Sequence, residues 1–176
     1  IDMFGEGKNT QHPQTAGEWA SAVAQYPEVG IARFQAGQAV LAKHPLTAPG
    51  QIAAIGYCFG GRTVLTLAMS GADLKAVASF HGALPQEPAA GAVKAKVLVC
   101  HGAADSFITP QQIVTFEKNL VQAGADWQFV NYGGAKHSFT NPGADKVGLD
   151  GLAYNASADQ RSWALLLSFL KEAFSK

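Results

Sequence analysis

The chain has 176 residues, of which 48% are hydrophobic and 15% charged, the proportions of a globular domain with a substantial core rather than of a disordered or repetitive chain. Thirteen basic residues balance thirteen acidic ones with no Lys/Arg cluster, which argues against a nucleic-acid or anionic-membrane binder and for a small partner of little charge. The longest strongly apolar stretch, Trp163 to Leu170, is broken by Ser168 and falls far short of the ~20 residues that span a bilayer.

The chain opens with Ile1-Asp2-Met3-Phe4, without a charged leader and apolar segment to mark a signal peptide. The opening reads as the end of a strand whose beginning is missing, and a soluble, cytoplasmic protein is expected. Thr15 and Glu18 can open a helix that Pro27 interrupts, and a second helical stretch runs from about Val29 to Ala42. Four apolar runs follow, Gln51 to Tyr57, Lys75 to Phe80, Lys96 to Cys100 and Trp127 to Tyr132. Each is near-continuously apolar, as strands buried on both faces are. Between the last two, Thr109, Pro110 and Gln112 supply a cap, a proline at the first helical position and a capping-box glutamine. Ile113, Phe116 and Leu120 then share one face, and Gly124 ends the helix. In the last segment Ser157 and Gln160 are read as capping a helix whose buried stripe is Trp163, Leu166, Leu167, Leu170 and Phe174. Strands alternating with helices predict an α/β domain with a mainly parallel sheet flanked by helices. No linker, repeat or second domain is evident, so residues 1–176 are expected to form a single domain.

The chemistry centres on Gly56-Tyr57-Cys58-Phe59-Gly60-Gly61, which follows a strand and precedes the helix-compatible segment Arg62 to Met69. This is the nucleophile elbow G-x-nucleophile-x-G, with cysteine where serine is usual. The glycines two residues before and after Cys58 are expected to keep side chains out of a tight turn. The turn would place the sulfur over a helix N-terminus, where backbone N–H groups and the helix dipole favour a thiolate. In such hydrolases the acid and the histidine follow on loops after later strands. Asp105 ends the Gly/Ala loop after the strand Val97 to Cys100, and His137 lies in the loop after the strand ending at Tyr132. Asp73, Asp126, Asp145, Asp150 and Asp159 are less well placed. His12 and His44 stand beside prolines and read as surface residues.

His81 and His101 each end a strand at the same edge. With Asp105 or Cys100 they could imitate a metal site, but the spacings match no zinc pattern and a hydrogen-bonded structural role is the better reading. Cys100 reads as an inert core thiol, one strand too far from Cys58 to form a disulfide. The glycosylation triplet Asn155-Ala156-Ser157 is of a kind that arises by chance. No metal is expected.

These residues resemble the dienelactone hydrolase family of α/β-hydrolases. The likeness rests on Ile55-Gly56-Tyr57-Cys58-Phe59-Gly60-Gly61, His101-Gly102 with Asp105, His137-Ser138-Phe139 before Asn141-Pro142, and Asp2-Met3-Phe4-Gly5. It implies a cofactor-free hydrolase of carboxylic esters or lactones with the triad Cys58, Asp105 and His137. It also implies a chain that starts at the end of the fold's fourth strand and lacks the first three, with an N-terminal piece either in a separate chain or lost. The backbone N–H of Phe59 would supply half of an oxyanion hole. The other half, and a glutamate that sets the thiol's protonation, would lie upstream of this sequence. Tyr57, Glu6 and Asn141 are candidate substrate contacts. Dienelactone-cleaving members carry arginines at the positions of Glu6 and Asn141, so uncharged short-chain or aryl esters are expected over dienelactone. Organophosphate triesters are a possible side substrate. The alternative is a non-catalytic ligand-binding or thiol redox-sensing protein on the same fold.

Overall fold

A computed structural model describes residues 1–10, 12–48 and 50–175. They form two compact units, Ile1–Gly50 and Gln51–Lys176.

The first unit holds two helices, α1 (Pro13–Gln25) and α2 (Pro27–Ala42), each with a proline in its first turn. A proline there gives up an N–H that has no partner in the helix anyway. This is why α1 begins at Pro13, ahead of Thr15, and why Pro27 both ends one helix and starts the next. The opening segment corrects the sequence reading, because Ile1 to Phe4 is not a strand. The Asp2 carboxylate accepts the N–H groups of Phe4, Gly5 and Gly7 at 3.0, 2.8 and 2.9 Å. A side chain that captures three local donors curls the backbone in place of a ladder.

The second unit is built on a four-stranded parallel sheet in the order β1 (Ala53–Tyr57), β2 (Ala76–Phe80), β3 (Lys96–Gly102), β4 (Trp127–Tyr132). Helices α3 (Phe59–Met69), α4 (Pro110–Gln122) and α5 (Ala156–Phe174) connect and flank it. All five residues of β2 and all but the first of β3 are buried, as their apolar runs require. The outer strands are only half covered. Ile55 and Tyr57 of β1 are each 42% exposed, and β4 turns Gln128 and Asn131 outward. Helix α4 carries the expected cap, with Thr109 accepting the Gln112 N–H while Gln112 accepts that of Thr109. Gly124 closes it at φ +63°.

Helix α5 departs from the expectation. Its cap is Asn155, whose side chain accepts the Ala158 N–H at 3.0 Å. The buried stripe is Ala158, Ser162, Leu166, Phe169 and Ala173, while Trp163 and Leu167 are 51% and 53% exposed. Of the expected stripe Leu166 is fully buried and Leu170 packs, half-buried, against the core. Small residues at 158, 162 and 173 let the helix lie close to the sheet, so the helix turns its smaller residues inward. Leu166 packs with Phe80, Leu98, Cys100 and Phe139 in the core, a burial that stabilises by about 1.5–3 kcal/mol.

Candidate active site

The parallel register sets the carboxyl ends of the strands in a row. Tyr57 lies opposite Phe80, and Phe80 opposite Cys100. The next residues continue the ladder: Cys58 N–H donates to Phe80 O at 3.0 Å, and His81 N–H donates to Cys100 O at 2.9 Å. Cys58, His81 and His101 therefore stand side by side at one edge, where ligand sites form in sheets of this kind.

Cys58 bends the chain from β1 into α3 at φ +52°, a conformation that costs a side-chain-bearing residue about 1–3 kcal/mol. Its surroundings over-determine the bend. The Arg62 N–H donates to Cys58 O at 3.2 Å. A Cβ on Gly56 would lie 2.0 Å from Gly60 O, and one on Gly61 would lie 2.6 Å from Ser79 Oγ and 2.9 Å from Gly82 Cα. Around Gly60 there is open space. The expectation for Gly56 thus holds, whereas on the far side of Cys58 it is Gly61, set against the end of β2, whose missing side chain matters.

Two loops complete the site. Asp105 follows β3 and is held by its own N–H to Gly102 O and by the Ala104 N–H to Ala135 O, both at 2.9 Å. The second contact exists because Gly102 lacks a side chain, which would otherwise strike Ala135 O at 2.6 Å. His137 is pinned by its backbone, its N–H donating to Gly151 O at 3.1 Å and its carbonyl accepting the Ala153 N–H at 3.2 Å. Its ring spans the gap, with Nδ1 2.8 Å from Asp105 Oδ2 and Nε2 3.1 Å from Cys58 Sγ. The other oxygen of Asp105 accepts the Phe107 N–H at 2.9 Å. Cys58 as a residue is exposed, while the Asp105 carboxylate is fully covered.

Electrostatics follow from these contacts. Burial alone would raise the Cys58 pKa, but the hydrogen bond and charge of His137, together with the Phe59 N–H, outweigh it and hold the thiol below its ordinary value. Burial would lower His137, yet its bonds to Asp105 and Cys58 push it up to about 9. Burial would raise Asp105, and the His137 and Phe107 bonds bring it below the usual carboxylate value. Both shifts run in the direction that favours a thiolate–imidazolium pair backed by a carboxylate.

The other aspartates are engaged elsewhere. Asp126 pairs with Lys96, Asp150 with Lys136 at 3.4 Å, Asp145 accepts the Tyr154 N–H at 3.3 Å, and Asp159 accepts the Tyr154 hydroxyl at 3.1 Å. Cys100 is buried, 3.8 Å from the Tyr132 hydroxyl, and desolvation pushes its thiol up to about 12. Both cysteines are free thiols. His101 is buried against Phe129, with ring centres 5.6 Å apart. Among the described residues, no group of three or more His, Cys, Asp and Glu side chains is placed to hold a metal ion.

Of the candidate substrate contacts, Tyr57 stacks on Phe80 at 4.7 Å with part of its ring exposed. Asn141 turns its side-chain oxygen onto the Gly143 N–H at 2.9 Å. Glu6, in the first unit, pairs with Lys8 at 3.1 Å. Sequence reasoning missed Phe107, which is 54% exposed and sets its ring edge-on to His137 at 5.3 Å. Its distance of two residues from Asp105 was the available signal, but only the loop's fold turns the ring toward the imidazole.

A parallel sheet with a strained thiol elbow at its carboxyl edge, followed in chain order by an acid loop and a histidine loop, has the architecture of an α/β hydrolase. The chain belongs to the dienelactone hydrolase family, whose model matches residues 2–174, and so stands among hydrolases. It is 36% identical to a dienelactone hydrolase-like promiscuous phosphotriesterase from metagenomic libraries. That likeness covers 99% of this chain and 73% of the other at a TM-score of 0.93. An uncharacterised protein of Caenorhabditis elegans is 35% identical over 147 residues, 81% of this chain and 93% of that protein. A putative carboxymethylenebutenolidase of Yersinia pestis is 29% identical over 132 residues, 69% of this chain. The chain spans about half the length of that last relative, 47%. Among the described residues, no helix is long and apolar enough to cross a membrane.

Proposed function

We propose that this protein cleaves carboxylic esters, with Cys58 as nucleophile, His137 as acid and base, and Asp105 as the group that orients the imidazole. The observation that carries this reading is the unbroken line Cys58 Sγ, His137, Asp105, with links of 3.1 and 2.8 Å. The thiolate attacks the ester carbonyl, and the Phe59 N–H at the start of α3 donates to the developing oxyanion. The imidazolium gives its proton to the leaving alkoxide, and a thioester remains on Cys58. His137, now neutral, takes a proton from water as the water attacks the thioester, and the acid departs as the thiolate re-forms. Asp105 stays ionised throughout, its two oxygens occupied by His137 and by the Phe107 N–H. Two free thiols, one of them reactive, suit a reducing cytoplasmic setting. Phosphotriesters are a second substrate class on this reading, supported by the 36% identity to a promiscuous phosphotriesterase.

The test is hydrolysis of p-nitrophenyl acetate by the protein beside its Cys58→Ala variant, followed from the first turnover. A burst of one p-nitrophenolate per protein and its loss in the variant are expected. Equal turnover by both proteins, or none by either, would sink the reading.

A further inference from the structure

The row of residues at the carboxyl edge holds a histidine that the mechanism leaves idle. His81 is 3% exposed, and its φ is +41° although it is not a glycine. Its Nδ1 is buried without a hydrogen-bond partner. Strained backbone and an unpaired buried nitrogen both oppose folding. A phenylalanine would fill the same place without the unpaired nitrogen. What the imidazole adds is one bond: its Nε2 lies 2.8 Å from Thr140 Oγ1. Thr140 belongs to the loop that carries His137, and the two imidazole rings are 5.3 Å apart. Between the tether and His137 in sequence lies Phe139, fully buried and meeting the His81 ring edge-on at 5.2 Å.

We propose that His81 is a positioning residue for His137: its bond to Thr140 ties the 137–140 loop to the end of β2, so that the imidazole stands between Cys58 and Asp105. This inference rests on the reading of Cys58 and His137 as the reacting pair. The backbone bonds to Gly151 and Ala153 hold His137 from one side of the loop, and the Thr140 bond anchors the segment that follows.

The groups around His137 agree with this role. Cys58 and Asp105 hydrogen-bond it, Phe107 lies against its edge, and His81 and His101 are ionisable neighbours that feel its charge, His81 itself flanked by Tyr57 at 6.0 Å and His101 lowered mainly by burial. Burial and the charge of His137 push His81 down to about 4. It therefore faces the imidazolium uncharged and does not drive the proton off it. A lysine or arginine in that place would supply a tether but also repel the cation.

The experiment uses Thr140→Val, which keeps the β-branched shape and loses the hydroxyl, and His81→Phe, which keeps a ring. Thr140→Ser serves as the conservative control. Each is measured for the pH dependence of Cys58 alkylation by iodoacetamide, for kcat and KM on p-nitrophenyl acetate, and for thermal midpoint. Cys100 is buried with its thiol pushed up to about 12, so alkylation reads Cys58 alone. In Thr140→Val and His81→Phe the alkylation midpoint is expected to rise toward that of an ordinary thiol. kcat is expected to fall about 10- to 100-fold with KM within about twofold, the size of effect that misplacing a catalytic group produces. Thr140→Ser should restore both. A Thr140→Val protein with wild-type alkylation and kcat, changed only in thermal midpoint, would overturn the proposal. If the wild-type thiol alkylates with a lowered midpoint but hydrolyses no ester, the ester reading fails while the alkylation series still decides the role of His81. If the wild-type thiol titrates as an ordinary cysteine, both fall together.

Discussion

Gly56 and Gly60 meet backbone to backbone: a Cβ built on Gly56 would sit 2.0 Å from the carbonyl oxygen of Gly60, while one built on Gly60 would touch nothing within 4 Å. The elbow therefore depends on the two glycines unequally. Gly56→Ala is expected to lose stability by more than the ~1 kcal/mol of an ordinary glycine exchange, because backbone rather than a flexible side chain blocks the new methyl. Gly60→Ala, in the first turn of α3, should keep the thermal midpoint of the parent protein. A thermal melt of both variants checks this, and equal midpoints would contradict the geometry.

Asp105→Asn should leave the fold intact and reduce ester turnover by about 10³- to 10⁴-fold, the scale seen when an orienting aspartate becomes an amide. The Phe107 N–H needs an oxygen facing it at 2.9 Å, so the new amide would turn its NH₂ toward His137 Nδ1. An imidazole that accepts there carries its proton on Nε2 and can no longer take one from Cys58. Loss of the carboxylate charge also removes a main support of the raised His137 pKa. Carbon-13 NMR of labelled histidine should show His137 titrating well below about 9 in this variant, and also in Cys58→Ser. A titration unchanged in both would refute the account.

The direction of the two shifts also sets the pH response. The Cys58 thiol loses its proton below its ordinary value, and His137 keeps its own until about 9. Between these limits a thiolate and an acid coexist. Above about 9 the thiolate persists but the acid is gone, which matters only for a leaving group that needs a proton. Hydrolysis of an alkyl ester is therefore expected to fall as pH rises through about 9, while that of a p-nitrophenyl ester, whose phenolate leaves unaided, should hold its rate. Parallel pH–rate profiles for the two esters would count against His137 as the leaving-group acid.

The sequence carried most of the pattern that depends on local chemistry. The strands, the Thr109–Gln112 cap and the elbow around Cys58 all rest on neighbours within a few residues. Part of what escaped it depends on packing at long range. Five large apolar residues of α5 satisfied helical spacing, yet the sheet accepted the face with Ala158, Ser162 and Ala173, because close approach favours small side chains. Asp2 captured N–H groups that a strand would have used, a competition invisible to a count of apolar residues. In the site, the order of Cys58, Asp105 and His137 along the chain was readable. The Thr140 partner of His81 was not, since 59 residues separate them.

Charge at the site argues for uncharged substrates. A thiolate, an imidazolium and the Asp105 carboxylate sum to one negative charge. The nearby cation on the histidine loop, Lys136, is turned to Asp150. Asn141 brings no positive charge, and its side-chain oxygen is committed to the Gly143 N–H. A substrate carboxylate approaching Cys58 would meet like charge, with Lys136 already turned to Asp150 and Asn141 uncharged, and thiolate attack would carry the sulfur's negative charge onto the oxyanion, closer to that carboxylate. We therefore expect kcat/KM for a neutral short-chain ester to exceed that for a carboxylate-bearing lactone by about tenfold or more, the equivalent of roughly 1.4 kcal/mol. Added salt should narrow the gap, because screening weakens repulsion at exposed sites over a Debye length of about 10 Å at 0.1 M. A lactone carboxylate turned over faster than the neutral ester at low salt would show that a cation reaches the site after all, and would reverse the assignment of substrate class.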